Sequence, residues 1–272
     1  MTVTSSDRAV VTGAASGLGL ALTQQLAGRG CRVLATDVAE QPPVTLAGLA
    51  GVTYRRLDVR SDDDWTAGRD WVRAQWGGLD LLVNNAGVAA GGRIDVIPLI
   101  EWQWIIDINL LGVVRGCHTF APMFKQQRSG HLVNVASAAG LVHPPQMSSY
   151  NTVKAGVVAL SETLSHELSA YGVATSVVCP TFFKTNLARS LTGSDPVAAA
   201  SARALIDGST RTADEIAAEV LKGVDAGRHL ILPDREARVA YASKRFARPL
   251  YNCTMRRVAA RMARKASDGG GR

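Results

Sequence analysis

Seven short apolar runs, separated by longer stretches of helical periodicity, constrain this chain more than any other feature. The runs are Arg8–Thr12, Arg32–Thr36, Val52–Leu57, Leu79–Val83, His131–Val135, Val173–Cys179 and His229–Leu232. They read as continuous rather than alternating hydrophobic segments, the pattern of strands covered on both faces. Between them, apolar residues three and four apart predict helices over Leu18–Leu26, Leu99–Phe124, Ser148–Ala170 and Ala213–Ala226. A further helix is expected over Asp62–Trp76, with Ser61 as N-cap and acids in its first turn. Strands alternating with helices in this way imply an α/β, doubly wound parallel sheet.

The chain of 272 residues, 47% hydrophobic, suffices for one large core. Residues 1–232 are expected to form that domain, and 233–272 a basic helical extension whose last residues are disordered. Thr181 to Arg211 is too long for a structureless loop and is expected to be a substrate flap with its own helices. The net charge of +7 is unevenly spread: residues 233–272 hold eleven Lys and Arg against three acids. The body is close to neutral, which argues against nucleic acid as a partner. No apolar run reaches membrane-spanning length. The polar start, Met1 to Arg8, lacks a signal-peptide layout, and the four cysteines are widely spaced with no metal-like pair. A cytoplasmic protein with reduced thiols and no metal is expected, able to associate with a membrane surface only through its tail.

Thr12-Gly13-Ala14-Ala15-Ser16-Gly17-Leu18-Gly19 stands where the first strand gives way to a helix. Glycines there allow a sharp turn and close approach of a pyrophosphate to the N–H groups that open the helix. Gly19 would allow close helix–strand packing. Asp37, at the end of the second strand, can accept hydrogen bonds from ribose hydroxyls and repel an added 2′-phosphate. This favours NAD over NADP. The competing reading of Asp37 is a solvated turn acid or helix cap.

Tyr150 and Lys154 lie four residues apart, on one helical face. A nearby ammonium favours phenolate and would bring the phenol closer to working pH. Ser137, just past the fifth strand, can hold a substrate oxygen beside that phenol. Alone, a Tyr-x-x-x-Lys spacing equally describes an exposed surface pair.

Taken together, Thr12–Gly19, Asp37, Asp58-Val59, Asn84-Asn85-Ala86-Gly87, Asn109, Ser137, Tyr150 with Lys154, and Pro180–Thr185 occur in one order. In this order, residues 8 to about 232 resemble the short-chain dehydrogenase/reductases. The resemblance implies a Rossmann-type fold, NAD as cofactor, and hydride transfer on an alcohol/ketone pair. It assigns cofactor binding to Gly13, Ser16, Gly17, Leu18, Gly19, Asp37, Asp58, Val59, Asn85, Ala86, Gly87, Pro180 and Thr185. Asp58 and Val59 would contact adenine, and Thr185 the carboxamide. Tyr150 would be the acid/base and Ser137 the orienting hydroxyl. Lys154 would hold the nicotinamide ribose, and Asn109 a water relaying protons. The family usually follows Pro180 with glycine; Thr181 here leaves the backbone contacts of 181–183 open.

The pocket is expected to draw on Ala139, Val142, His143 and Gln146 after the fifth strand, with Phe182, Phe183, Leu187 and Leu191 from the flap. That lining is mostly apolar and points to a lipophilic secondary alcohol or ketone. In the extension, Tyr251, Met255, Val258 and Met262 mark an amphipathic helix over 250–266, with Pro249 separating it from a similar segment before it. It can dock on the body or a neighbouring subunit, or lie on an anionic membrane. A homodimer or homotetramer through the two long helices is implied by the resemblance. Two other readings stand beside the leading one: an NADPH-dependent ketoreductase of the 3-oxoacyl type, and a nucleotide-binding scaffold without chemistry.

Overall fold

The computed structural model describes residues 3–184 and 194–269, with side chains described as far as residue 264. Its strands are β1 (Arg8–Thr12), β2 (Arg32–Asp37), β3 (Val52–Arg56), β4 (Leu81–Asn84), β5 (Gly130–Val135), β6 (Val173–Val178) and β7 (Leu230–Ile231). They form one parallel sheet in the order β3-β2-β1-β4-β5-β6-β7. The helices are α1 (Gly17–Gly28), α2 (Asp62–Trp76), α3 (Leu99–Ile106), α4 (Gly112–Gln127), α5 (Ala139–Val142), α6 (Ser148–Ser169), α7 (Pro196–Asp207), α8 (Ala213–Asp225), α9 (Arg235–Phe246) and α10 (Arg248–Gly269).

The period of two along each strand explains the two layers. Ala9, Val11, Val33, Ala35, Leu81, Val83 and Val133 point into a core shared with α1 and α8. Their neighbours Val10, Leu34, Leu82 and Leu132 point the other way, into a core with Trp65, Phe120, Phe124 and Val157. Both faces are covered, so the central strands are apolar throughout. β3 departs from this. As the edge strand it alternates, with Thr53, Arg55 and Arg56 exposed.

Several boundaries differ from those read in the sequence. The long helix over 99–127 passes through a π-helical turn at Asp107–Leu111 that joins α3 to α4. α5 is a single turn that sequence periodicity does not reveal, being shorter than the window a periodic signal needs. The flap segment carries α7, capped by Asp195, whose buried carboxylate also binds the Arg93 amide at 3.0 Å and its Nε at 2.8 Å. In the extension the break falls at Ala247, one residue before α10 begins, and Pro249 occupies the first turn of α10. Proline is tolerated there because first-turn N–H groups have no intrahelical partner. The apolar stripe of α10, Tyr251, Met255, Val258 and Met262, is half-buried. Among the described residues, no helix is long and apolar enough to cross a membrane.

Candidate active site

The strand order reverses between β1 and β4, and a crevice forms beyond the carboxyl ends of a parallel sheet at such a point. A cavity of about 800 Å³ runs from Asp37 and Asp58 at one end, past the glycine turn, to Tyr150 and Phe182 at the other.

At the first end, Gly13 and Gly17 take φ of +66° and +55°, which side-chain-bearing residues rarely adopt. A Cβ on Gly19 would stand 2.1 Å from the Gly13 carbonyl oxygen, so close packing there requires glycine. The turn is held from β4. Thr12 Oγ1 accepts from the amides of Asn85 and Ala86, both at 3.0 Å, and Asn85 Nδ2 donates to Thr12 O at 2.9 Å. Asn85 therefore uses its side chain to fix the turn. α1 opens here with no side-chain cap, leaving its first N–H groups facing the cavity end of the helix. Asp37 closes the turn from β2, accepting from the Ala15 amide at 3.0 Å.

The adenine-side expectation for Asp58 changes. Its carboxylate is gripped by Arg60, at 3.0 Å from Nε and 2.6 Å from Nη2, and that guanidinium holds its pKa below the usual range. Arg60 lines the cavity beside Val38, and neither residue was singled out by motif spacing.

At the other end, Tyr150 and Lys154 are both buried on the inner face of α6. Ser137 leaves β5 beside them, its Oγ accepting from the Ala139 amide at 3.2 Å. α5 is pressed against α6 because Gly140 lacks a side chain; a Cβ there would lie 2.6 Å from the Lys154 carbonyl. Lys154 Nζ donates to Val135 O at 2.9 Å and lies 5.8 Å from the Tyr150 ring centroid. Burial pushes the Tyr150 phenol up to about 12, with the Ser137 hydroxyl opposing it, and pushes Lys154 down to about 8. The lowering of Tyr150 by Lys154 expected from the sequence is not the ruling effect: desolvation of the phenol is larger.

Asn109 sits in the π-helical turn, fully buried, and its amide pairs with both backbone groups of Val88 at 2.8 Å. A Cβ on Gly87 would meet Asn109 Oδ1 at 3.1 Å and Lys154 Nζ at 3.7 Å, so these three residues converge. The side chain of Asn109 is engaged in holding Val88, and any proton relay would use the turn around it.

The substrate end also departs from expectation. Ala139, Val142, Phe182 and Phe183 line the cavity, whereas His143 and Gln146 do not. Both take positive φ, near 55° and 60°, and this reverses the chain so that Pro144 and Met147 face the cavity instead. His143 turns to the extension: its Nδ1 accepts from Lys244 Nζ at 2.7 Å, while Nε2 meets Gly140 O at 3.0 Å. Lys244 Nζ also donates to Leu141 O, and Tyr251 OH to Val142 O. Ala240 of α9 lines the cavity, as do Ala202 and Ile206 of α7. Nothing in the sequence marks a small residue in a basic extension as a pocket wall. Pro180 lines the cavity, and Thr181 needs no positive φ; its amide is held by Asp234 at 2.9 Å, the buried N-cap of α9. Thr185, Leu187 and Leu191 lie outside the described residues. Among the described residues no group of three or more His, Cys, Asp or Glu is placed to hold a metal ion.

Known proteins resemble the chain along most of its length. A family model described as short chain dehydrogenase matches residues 7–195. The 2-(R)-hydroxypropyl-CoM dehydrogenase of Xanthobacter autotrophicus is 32% identical over 65% of this chain and 74% of its own. The D-beta-hydroxybutyrate dehydrogenase of Rhizobium meliloti is 33% identical, covering 66% of this chain and 72% of its own. A short-chain dehydrogenase/reductase from Burkholderia phymatum, solved in complex with NAD, is 31% identical with a TM-score of 0.84, over 92% of this chain and 96% of that one. The crevice, the glycine turn and the family match converge, and the chain belongs to the short-chain dehydrogenases, oxidoreductases acting on CH–OH groups.

Proposed function

We propose that this chain is an NAD-dependent oxidoreductase that interconverts a lipophilic secondary alcohol and its ketone, with Tyr150 as general acid/base. The observation that carries this reading is one cavity whose wall joins the glycine turn and Asp37 to Ser137, Tyr150 and Lys154. The dinucleotide fits the residues present. Asp37 would take the adenosine ribose and the N–H groups opening α1 the pyrophosphate, while Tyr150 and Lys154 would flank the nicotinamide ribose. The bound cofactor supplies hydride acceptance or donation at its nicotinamide.

The protein's own part is proton handling and exclusion of water. A phenol near 12 is neutral at working pH and so is ready to donate to a ketone oxygen. In oxidation the phenol must first lose its proton to solvent. The resulting phenolate, its charge balanced by the Lys154 ammonium, then takes the hydroxyl proton while Ser137 holds the substrate oxygen. The walls at this end, Ala139, Val142, Met147, Phe182, Ala202 and Ala240, offer few hydrogen bonds and suit an apolar substituent. We read residues 1–232 as the catalytic unit and 233–272 as an extension that completes its pocket. The setting we infer is a cytoplasmic homodimer or homotetramer.

An NADPH-dependent ketoreductase has one observation in its favour, because Arg60 lines the adenosine end of the cavity. That guanidinium is already taken up by Asp58, which leaves Asp37 as the uncompensated charge facing a 2′-phosphate. Initial rates with NAD⁺ and NADP⁺ over a panel of lipophilic secondary alcohols test the choice. NAD⁺ should be preferred, and Asp37→Ser should narrow or reverse the preference, by roughly tenfold to a hundredfold. Preference for NADP⁺ by the unaltered protein would overturn the reading.

A further inference from the structure

α9 has two working faces. Its inner face, Ala237, Ala240 and Lys244, is turned to the body, where Ala240 walls the cavity and Lys244 holds Leu141 and His143. On the helical wheel, Val239 and Phe246 point the opposite way, and they are 56% and 81% exposed. Leu250, at the start of α10, continues this corner at 70% exposure. Arg235, Arg238, Arg245 and Arg248 flank these apolar residues and are all exposed, while Glu236 is the only carboxylate within α9.

Burying Phe246 and Leu250 is favoured by their apolar area, whereas leaving them in water within a cationic rim is not. From this juxtaposition we propose that the corner between α9 and α10 docks on an anionic lipid bilayer, with Phe246 and Leu250 entering the headgroup boundary and the arginines binding lipid phosphates. A second copy of this chain is the poorer occupant. A two-fold contact through the same patch would set the arginines of one copy against those of the other, with one Glu236 apiece to offset them. A bilayer containing anionic lipid supplies the complementary charge. The half-buried stripe of α10 is not needed for this contact, since it already packs within the chain. Docking would bring the substrate wall at Ala240, one helix diameter behind the patch, close to a reservoir of apolar alcohols. That last consequence rests on the lipophilic-substrate reading; the docking itself does not.

Co-sedimentation of the full chain with phosphatidylcholine vesicles, and with vesicles of phosphatidylcholine mixed with phosphatidylglycerol, tests it without any turnover. The chain should bind the anionic vesicles, weaken with added salt, and bind pure phosphatidylcholine poorly. Phe246→Asp with Leu250→Asp should reduce partitioning by roughly tenfold or more, as should joint replacement of Arg238, Arg245 and Arg248 by Gln. Circular dichroism checks that these surface variants stay folded. No sedimentation with anionic vesicles, or binding that the variants leave intact, overturns the proposal. Loss of a dimer or tetramer in Phe246→Asp by light scattering, with no vesicle binding by the parent, assigns the patch to subunit contact instead. Inactivity of the chain toward every alcohol tried would overturn the substrate reading and leave the vesicle result standing.

Discussion

The two ends of the cavity are built by different means. The cofactor end is made by the sheet: the turn after β1, the end of β2 and the segment after β4 lie side by side because their strands do. The substrate end is assembled from segments far apart in sequence. The loop around α5 is tied to α9 and α10 by Lys244 and Tyr251, Asp234 holds the Thr181 amide, and Asp195 anchors α7 to Arg93. A site made by adjacent strands inherits the rigidity of the sheet. One made by side-chain ties to single carbonyls can vary its walls without disturbing the sheet, and binding loops on a rigid scaffold do so generally.

The proposed acid/base, Tyr150, stands at the junction of the two ends, and the largest effect is expected there. Tyr150→Phe removes the proton-transferring oxygen while keeping the ring, and should lower kcat by roughly a thousandfold or more. NAD binding, measured by fluorescence titration, should stay nearly unchanged. Substantial remaining turnover would sink the assignment and with it the division into two ends.

The next effect probes the sheet. His131 of β5 is buried; its Nε2 lies 2.8 Å from Ser176 Oγ, which itself donates to Arg228 O. Ser176 is thus an acceptor toward His131, so the imidazole is the neutral Nε2–H tautomer, and its Nδ1 has no partner. Burial pushes this histidine down to about 4. In the unfolded chain it titrates near 6.5, so between these values the unfolded state binds the extra proton. The contribution is fully present above about pH 6.5 and is lost as pH falls toward 4, amounting to about 3 kcal/mol. Urea unfolding at neutral and acid pH should show this slope, and His131→Gln should flatten it. Both ends of the cavity should fail together, because they share the sheet. An unchanged slope in the variant would place the acid sensitivity elsewhere.

The smallest effect isolates the substrate end. Lys244→Met or Tyr251→Phe frees a carbonyl of the α5 loop at a cost of about 1 kcal/mol. Such a change should raise KM for the alcohol several-fold, with KM for NAD and the melting temperature little altered. Equal changes in both KM values would show that the two ends are coupled after all.

Legibility from sequence follows the same division. Gly13, Gly17, Asp37, Tyr150 and Lys154 were readable because each stands at a fixed offset from a strand or helix of strong periodicity. The neighbourhood of the glycine turn and Asp37 follows from parallel pairing, whereas that of Tyr150 and Lys154 also needs α6 packed against the end of β5. Asp58 lines the cavity, but its capture by Arg60 depends on side-chain rotamers that spacing does not encode. His143 and Gln146 were expected to face the pocket. Both take positive φ, a conformation that is uncommon for any residue with a side chain and that histidine favours too weakly to be read from sequence. Ala240, over a hundred residues beyond Ser137, carries no local mark at all.

The sequence by itself therefore determined the parallel sheet, the family and the crevice at its strand ends, because short-range periodicity and a few glycines suffice to set strand, turn and helix. Only the tertiary structure decided which side chains enclose the substrate and which face of α9 is left outward. Those outcomes depend on packing between segments distant along the chain, where one lysine reaching one carbonyl fixes the wall.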